Sequence, residues 1–373
     1  MSESSFRIAV FPGDGIGQDV TRSVLAVLDE AVEHVGGFSL DCEHLQAGAD
    51  YYAETGQDIS VEAFEAARQA DAILLGAMGD PAVRYADGTE IAPHLKMRDA
   101  FGLFAGVRPV KAYPNTPLYL ADPRAKEIDL VILRESTEGL FYSHGRGEVI
   151  DDKEARETLR ITRATCENLF DFAFDLARRR QERGGRGHVT CVDKANVFKA
   201  MAFFRKIFDE RAALNDDIVV GHTYVDAQAL FLVRRPWDFD VLVMENMFGD
   251  ILSDIAGGIV GGMGMAPCAE IGLEHGLFQP AHGSAPDIAG QDKANPTAAI
   301  LSGAMMLDWL GARHGVERAV EAAGLIEDAV AEGFASARVQ PAEFGGPHGT
   351  TEITRTLLDI IRETGQAKGR PAA

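Results

Sequence analysis

The sequence predicts an α/β fold, on two observations. Short apolar runs alternate along the chain with stretches of helical periodicity. In the middle of the chain, four of those runs pass directly into charged residues, as strands do when their carboxyl ends open on a ligand site. Taking the elements in order, "FRIAVFPGDGIG" reads as a strand and a turn. "QDVTRSVLAVLDEAV" follows as a helix, with Val20, Val24, Val27 or Leu28, and Ala31 at the spacing of one face. "DAILLGAMG" reads as a buried strand ending in glycines. The four central runs are "DLVILRESTEG", "GHVTCVDKANV", "DDIVVGHTYVDA" and "FDVLVMENMFGD", and they offer Arg134, Lys194, Asp226 and Asp250 to one shared cleft. "HGRGEVIDDKEARETLRITRATCENLF" is rich in charge and alternation, which fits either an arm pairing with a second subunit or a solvated hairpin. The tail "GQAKGRPAA" has the composition of a disordered end.

A chain of 373 residues has the length of about two domains, and 46% hydrophobic with 25% charged residues is the balance of a globular protein. No apolar run is long enough to span a membrane, and "MSESSFRIAV" lacks the basic-then-apolar layout of a signal peptide, so the cytoplasm is the expected location. The net charge of −21 disfavours nucleic acid as a partner, whose phosphates would be repelled. A local arginine cluster can still bind small anions. Cys42, Cys166, Cys191 and Cys268 are widely spaced, as reduced thiols are.

The glycines of "GDGIG" do not make a dinucleotide fingerprint. The place of the third glycine is Gln18, and Asp29, Glu30 and Glu33, near where an acidic strand end should follow, lie in a helical pattern. A tight turn accounts for them. The segment 280–307, "PAHGSAPDIAGQDKANPTAAILSGAMML", is the better nucleotide candidate. Its small residues let backbone N–H groups approach a pyrophosphate, and Asp287 can accept from a ribose diol while repelling a 2′-phosphate, which favours NAD over NADP. An ordinary loop before a helix is the alternative.

"NMFGDILSD" places Asp250 and Asp254 four apart, hence about 5–6 Å from one another on one helix face. Ile251, Leu252 and Ile255 suggest partial burial, where two bare carboxylates repel unless a cation lies between them. With no histidine or cysteine interleaved, the oxygen ligands point to Mg²⁺ or Mn²⁺, and Asp226 is a natural third ligand. Favourable interaction with the helix dipole is the alternative. Arg98, Arg108 and Arg134 can each fork onto a carboxylate, and beside a divalent ion they would suit a substrate with two or more carboxylates.

Taken in order, "GDGIG", Arg98 followed by Arg108-Pro109, "RESTEG", "VDKANV", "YVDA", "NMFGDILSD" and "HGSAPDIAGQDKANPTAAILS" resemble the metal-dependent β-decarboxylating dehydrogenases of isopropylmalate, isocitrate, homoisocitrate and tartrate or D-malate, from residue 6 to about 365. The isopropylmalate type, with its place in leucine biosynthesis, is the nearest. The resemblance implies a two-domain α/β fold with a large mixed sheet, not a Rossmann domain. Residues 1–102 with 261–373 would bind cofactor, and 103–260 would carry substrate, metal and the dimer surface. It implies a homodimer with a shared site. Arg98, Arg108 and Arg134 would clamp substrate. Asp250 and Asp254 would hold Mg²⁺ or Mn²⁺ together with Asp226 of the second subunit, whose Lys194 would be the general base and whose Val197 would line the substrate pocket. Gly76, Ala77, Asn246, His282, Gly283, Ser284, Ala285, Asp287, Ile288 and Asn295 would surround NAD.

Two positions depart from the family. The tyrosine that protonates C3 stands seven residues after the arginine of "RE"; here that residue is Phe141, and the adjacent Tyr142 becomes the candidate acid. The serine and asparagine that isocitrate enzymes place before the first clamp are absent from "EIAPHLKM". Ile91, His94 and Leu95 instead imply a mostly apolar pocket for a 3-alkylmalate, 3-isopropylmalate first, in which His94 can read a polar substituent. Tartrate or D-malate is the alternative substrate, and a non-catalytic paralogue the more distant reading.

Overall fold

The structure, a computed structural model, describes residues 4–368. Its strands are β1 (Ser4–Gly13), β2 (Phe38–His44), β3 (Ala72–Ala77), β4 (Ala105–Lys111), β5 (Asp129–Glu135), β6 (Glu148–Ile150), β7 (Glu154–Arg156), β8 (His188–Asp193), β9 (Val219–Tyr224), β10 (Val241–Met244), β11 (Pro267–Ile271) and β12 (Gly276–Pro280). Its α-helices are α1 (Gly17–Val35), α2 (Ala49–Thr55), α3 (Val61–Gln69), α4 (Pro93–Ala100), α5 (Arg163–Glu182), α6 (Lys199–Ala212), α7 (Val225–Arg234), α8 (Asn246–Ile259), α9 (Thr297–His314), α10 (Glu317–Ala335) and α11 (Thr350–Lys368). Of the segment read as a tail, residues up to Lys368 belong to α11, and residues 369–373 lie outside the described residues.

Ten strands form one mixed sheet in the order β2-β1-β3-β12-β11-β4-β5-β10-β8-β9. Parallel pairing joins β2, β1, β3 and β12 on one side and β5, β10, β8 and β9 on the other. The antiparallel neighbours β11 and β4 join these sets at the centre. The large mixed sheet flanked by helices is the architecture the sequence implied. β6 and β7 form a separate two-stranded hairpin, exposed along most of its length.

Side-chain alternation along the strands divides the core into layers. Ile8 and Val10 join one cluster with Val20, Val24 and Leu28 of α1, while Ala9 and Phe11 join another with Leu75, Met97 and Leu103. In β5, Val131 and Leu133 face the first cluster, and Leu130 and Ile132 face a third that includes Leu242, Met244, Leu252 and Ala256. Continued by one step, this alternation sends Arg134 to the α8 side. Burial on both faces explains the near-continuous apolar runs of β3 and β10. β9, at the edge, leaves Val219 and Val220 exposed. No described helix is long and apolar enough to cross a membrane.

Candidate active site

The turn after β1 is structural. The Asp14 carboxylate accepts the backbone N–H groups of Ala49 at 2.8 Å, Asp50 at 2.9 Å and Gly79 at 2.7 Å. Gly15 sits at φ 54° with its α-carbon pressed on Ser284: a Cβ there would lie 2.2 Å from the Ser284 carbonyl oxygen. The tight turn therefore serves to seat the 280–296 loop. Gly76 and Ala77, expected at the cofactor, back this turn. A Cβ on Gly76 would lie 2.3 Å from the Pro12 oxygen, and the Ala77 carbonyl accepts the Asp14 N–H at 2.8 Å.

Along the same loop Gly283 and Asp287 are exposed, and Ala285 and Ile288 are half-buried. Ser284 is buried, its hydroxyl donating to the Gly79 carbonyl. His282 contacts the Gly283 carbonyl through Nδ1 at 2.9 Å, and its buried Nε2 has no partner. Burial holds this imidazole below its ordinary pKa. Asn295 is buried and engaged within the protein, donating to Glu343 at 2.9 Å and accepting from Thr297. An orphan ring nitrogen and, five residues on, an exposed carboxylate are polar groups of the kind that fits an adenosine.

The three arginines expected as clamps come together. Arg108 on β4 and Arg134 on β5 share the α8 face of the sheet, and Arg98 reaches it from α4. Arg108 donates to Ser253 at 2.6 Å and lies 3.5 Å from Asp250 and 3.8 Å from Asp254. Arg134 contacts Asp250 and donates to Asn246 through Nε at 3.0 Å and Nη2 at 2.7 Å. Burial, with Arg108 and Arg98 nearby, brings the Arg134 pKa down to about 10. Arg98 is paired instead with Glu270 at 3.0 Å, a residue the sequence reading missed; its signal was a lone charge in the apolar run "APCAEIG".

Asn246, expected at the cofactor, is fully buried; it accepts from Arg134 and donates to the Glu138 carbonyl. It orients the arginine. Gly249 permits the contact between α8 and β5, since a Cβ there would lie 2.6 Å from Arg134 Cβ. Gly249→Ala is therefore expected to displace Arg134 and cost about 1–3 kcal/mol of stability in urea titration, with a fall in substrate affinity.

Asp250 and Asp254 sit on one face of α8, their side chains 44% and 63% exposed. They lie beyond the first helical turn, where Glu245 caps Met247 and Phe248, so the dipole does not account for them. The flanking expectation of burial holds for Leu252, whereas Ile251 is exposed. Burial and Asp250 raise the Asp254 pKa against the opposing pull of Arg108. Two carboxylates on one face form a hard oxygen set of the kind that fits a divalent cation.

The central carboxyl-end charges do not all converge within the chain. Lys194 pairs with Asp226 at 2.5 Å at the β8–β9 edge, apart from the Arg134–Asp250 contact. Among the described residues no three His, Cys, Asp or Glu side chains gather as a metal site. Asp226, expected as a third ligand, therefore does not stand with Asp250 and Asp254 within the chain, and Val197 beside Lys194 is 58% exposed.

Of the residues expected to line the substituent pocket, Ile91 is fully buried in the interior and Leu95 is half-buried. Phe141, with its ring 5.0 Å from the Arg134 guanidinium, faces the cluster; Tyr142 contacts Arg146 at 4.7 Å and Arg160 at 3.9 Å instead, so its placement does not suit the acid. His94 is beside Arg98: burial, then that guanidinium, bring its pKa down to about 4, and its buried Nδ1 has no partner.

A model of the isocitrate/isopropylmalate dehydrogenase family matches residues 7–357. The chain is 41% identical over 358 residues to a 3-isopropylmalate/3-methylmalate dehydrogenase of Methanocaldococcus jannaschii, covering 96% of this chain and 99% of that one. It is 41% identical over 345 residues to a 3-isopropylmalate dehydrogenase of Salinibacter ruber, covering 88% and 91%. Among solved structures, isocitrate dehydrogenase from Methylococcus capsulatus superposes with a TM-score of 0.82 at 33% identity over 96% of this chain and 99% of that one. A β-decarboxylating dehydrogenase from Thermococcus kodakarensis gives 0.79 at 34% identity over 99% and 100%. With the arginine cluster and paired aspartates on the same sheet face, the chain belongs to the isocitrate/isopropylmalate dehydrogenase family and is a decarboxylating 2-hydroxy acid dehydrogenase.

Proposed function

We propose that the protein catalyses NAD- and Mg²⁺- or Mn²⁺-dependent oxidative decarboxylation of a 3-substituted malate, 3-isopropylmalate first, releasing the 2-keto acid, CO₂ and NADH. The observation that carries this is the gathering of Arg98, Arg108 and Arg134 beside Asp250 and Asp254. The names of the relatives support the alkyl substituent and a role in leucine biosynthesis. The exposed Asp287 supports NAD over NADP, because a 2′-phosphate would meet its charge. The cofactor half would be residues 1–102 with 261–373, which supply β2, β1, β3, β12 and β11. The other half would be 103–260, which supplies β4, β5, β10, β8 and β9.

The active unit is a homodimer in the cytoplasm, with Asp226, Lys194 and Val197 of a second copy completing each site. Exposed Val219, Leu230, Val233 and Ile251 give β9, α7 and α8 an apolar surface for that copy, joined by exposed Phe198 just before α6. Asp250 and Asp254 of one chain with Asp226 of the other would hold the metal. When bound, the divalent ion supplies Lewis-acid polarisation of the C2 oxygen, and the nicotinamide supplies the hydride acceptor. The arginines hold the two carboxylates. Lys194 takes the C2 hydroxyl proton, helped by the charge of Asp226 when the ammonium forms. Loss of CO₂ from C3 then leaves an enolate that needs one proton. The reaction consumes as many protons at C3 as it frees at C2, so Lys194 can return the same proton where Phe141 has replaced the tyrosine.

A second reading, D-malate or tartrate, is favoured by the unpartnered Glu270 Oε2 and His94 Nδ1 near Arg98, which suit a polar substituent. Turnover of 3-isopropylmalate, 3-methylmalate, D-malate, tartrate and isocitrate with Mn²⁺ and either NAD or NADP tests both. We expect NADH from a 3-substituted malate, at least ~10-fold slower NADP reduction, and no turnover in chelator. Absence of turnover with every diacid would instead leave a non-catalytic member of the family.

A further inference from the structure

Glu270 is a buried charge to which no step of the decarboxylation is assigned. On β11 it is paired in register with Gly106 of β4, which is paired in turn with Arg134 of β5. The glycine between them leaves the room: a Cβ at Gly106 would lie 3.1 Å from Glu270 Oε2 and 3.4 Å from Arg134 Cβ. Glu270 is 1% exposed; one carboxylate oxygen binds Arg98 at 3.0 Å and the other has no partner. Burial alone would favour its neutral form, but Arg98, Arg108 and Arg134 hold its pKa below the ordinary carboxylate value. The charge is therefore present at neutral pH.

We propose that Glu270 is a specificity-determining residue: by occupying Arg98 it cancels one of the three guanidinium charges and reserves the cluster for substrates with two carboxylates, rejecting tricarboxylates. A third substrate carboxylate approaching Arg98 finds its partner taken and a second, unpaired anionic oxygen beside it. In a buried setting such a like-charge approach costs far more than it would in water. Uncharged substituents, alkyl or hydroxyl, meet no such barrier. This rests on reading the arginines as the substrate-carboxylate site.

The test compares Glu270→Gln, which keeps the shape and removes the charge, with Glu270→Asp, which keeps the charge. In both, kcat/KM is measured for 3-isopropylmalate, D-malate and isocitrate with NAD and Mn²⁺. We expect Glu270→Gln to raise the isocitrate-to-dicarboxylate ratio by at least ~10-fold, chiefly through a lower KM for isocitrate, and Glu270→Asp to keep the parent ratio. An unchanged ratio in folded Glu270→Gln overturns the proposal. Should that variant fail to fold, calorimetric titration of the parent protein with glutarate and propane-1,2,3-tricarboxylate decides. Weaker binding of the tricarboxylate supports the proposal, and equal or tighter binding overturns it. Should the parent oxidise no hydroxy diacid, the catalytic reading falls, and the same titration still judges Glu270.

Discussion

Replacing Asp254 with asparagine is expected to lower kcat/KM with the preferred diacid by ~10³-fold or more, the several kcal/mol that a Lewis-acid metal contributes to a transition state. The folded protein should scarcely register the change. The Asp254 side chain is 63% exposed, and its ion contact is the long 3.8 Å approach of Arg108, a geometry worth little in solvent. Removing it also relieves repulsion from Asp250. Thermal unfolding in chelator should therefore match the parent closely. Added Mn²⁺ should stabilise the parent by ~2.7 kcal/mol at a hundredfold excess over Kd and the variant much less. This pairing of results separates a ligand from a structural carboxylate. A variant that loses activity and chelator-independent stability together, or one that keeps the Mn²⁺ shift, would remove Asp254 from the metal site.

The parts of the fold and site readable from the sequence were those set by local pattern. The helix after β1 shows its period in Val20, Val24, Leu28 and Ala31, all of which are buried, and the apolar runs of β3 and β10 show burial on both faces. Arg134 and Arg108 were legible because each follows a run of apolar residues within its strand, so alternation sends them to one side. What stayed hidden depends on registry between distant segments. The row Glu270–Gly106–Arg134 is made by pairing three strands that are far apart in sequence, and no spacing rule connects them. Asn246 fits a cofactor motif by position, yet its amide binds Arg134 and the Glu138 carbonyl, a fact set by how α8 packs on β5. Phe141 and Tyr142 differ by one position in sequence but face opposite sets of arginines, because the short helical turn at Leu140–Ser143 turns successive side chains apart.

Mixing two inactive variants should restore activity. Lys194→Met removes the proposed base and is expected to cost ~10²–10⁴-fold in kcat, the range of general-base catalysis. Lys194 pairs with Asp226, and neither touches Asp250 or Asp254 in the same chain. If each site draws Asp250 and Asp254 from one chain and Lys194 with Asp226 from the other, a hybrid of Lys194→Met and Asp254→Asn chains holds one intact site and one doubly defective site. Random exchange makes half of the dimers hybrid, so the mixture should recover about a quarter of parental activity, as follows from a two-fold symmetric assembly. A chain carrying both substitutions, mixed with either single variant, should recover none, because no pairing then brings Lys194 together with Asp254. Recovery near a quarter in the first mixture alone would place the two halves of the chemistry on opposite subunits. No recovery after verified subunit exchange would mean that each chain completes its own site, which would require the β8–β9 edge to swing toward α8 within one protomer.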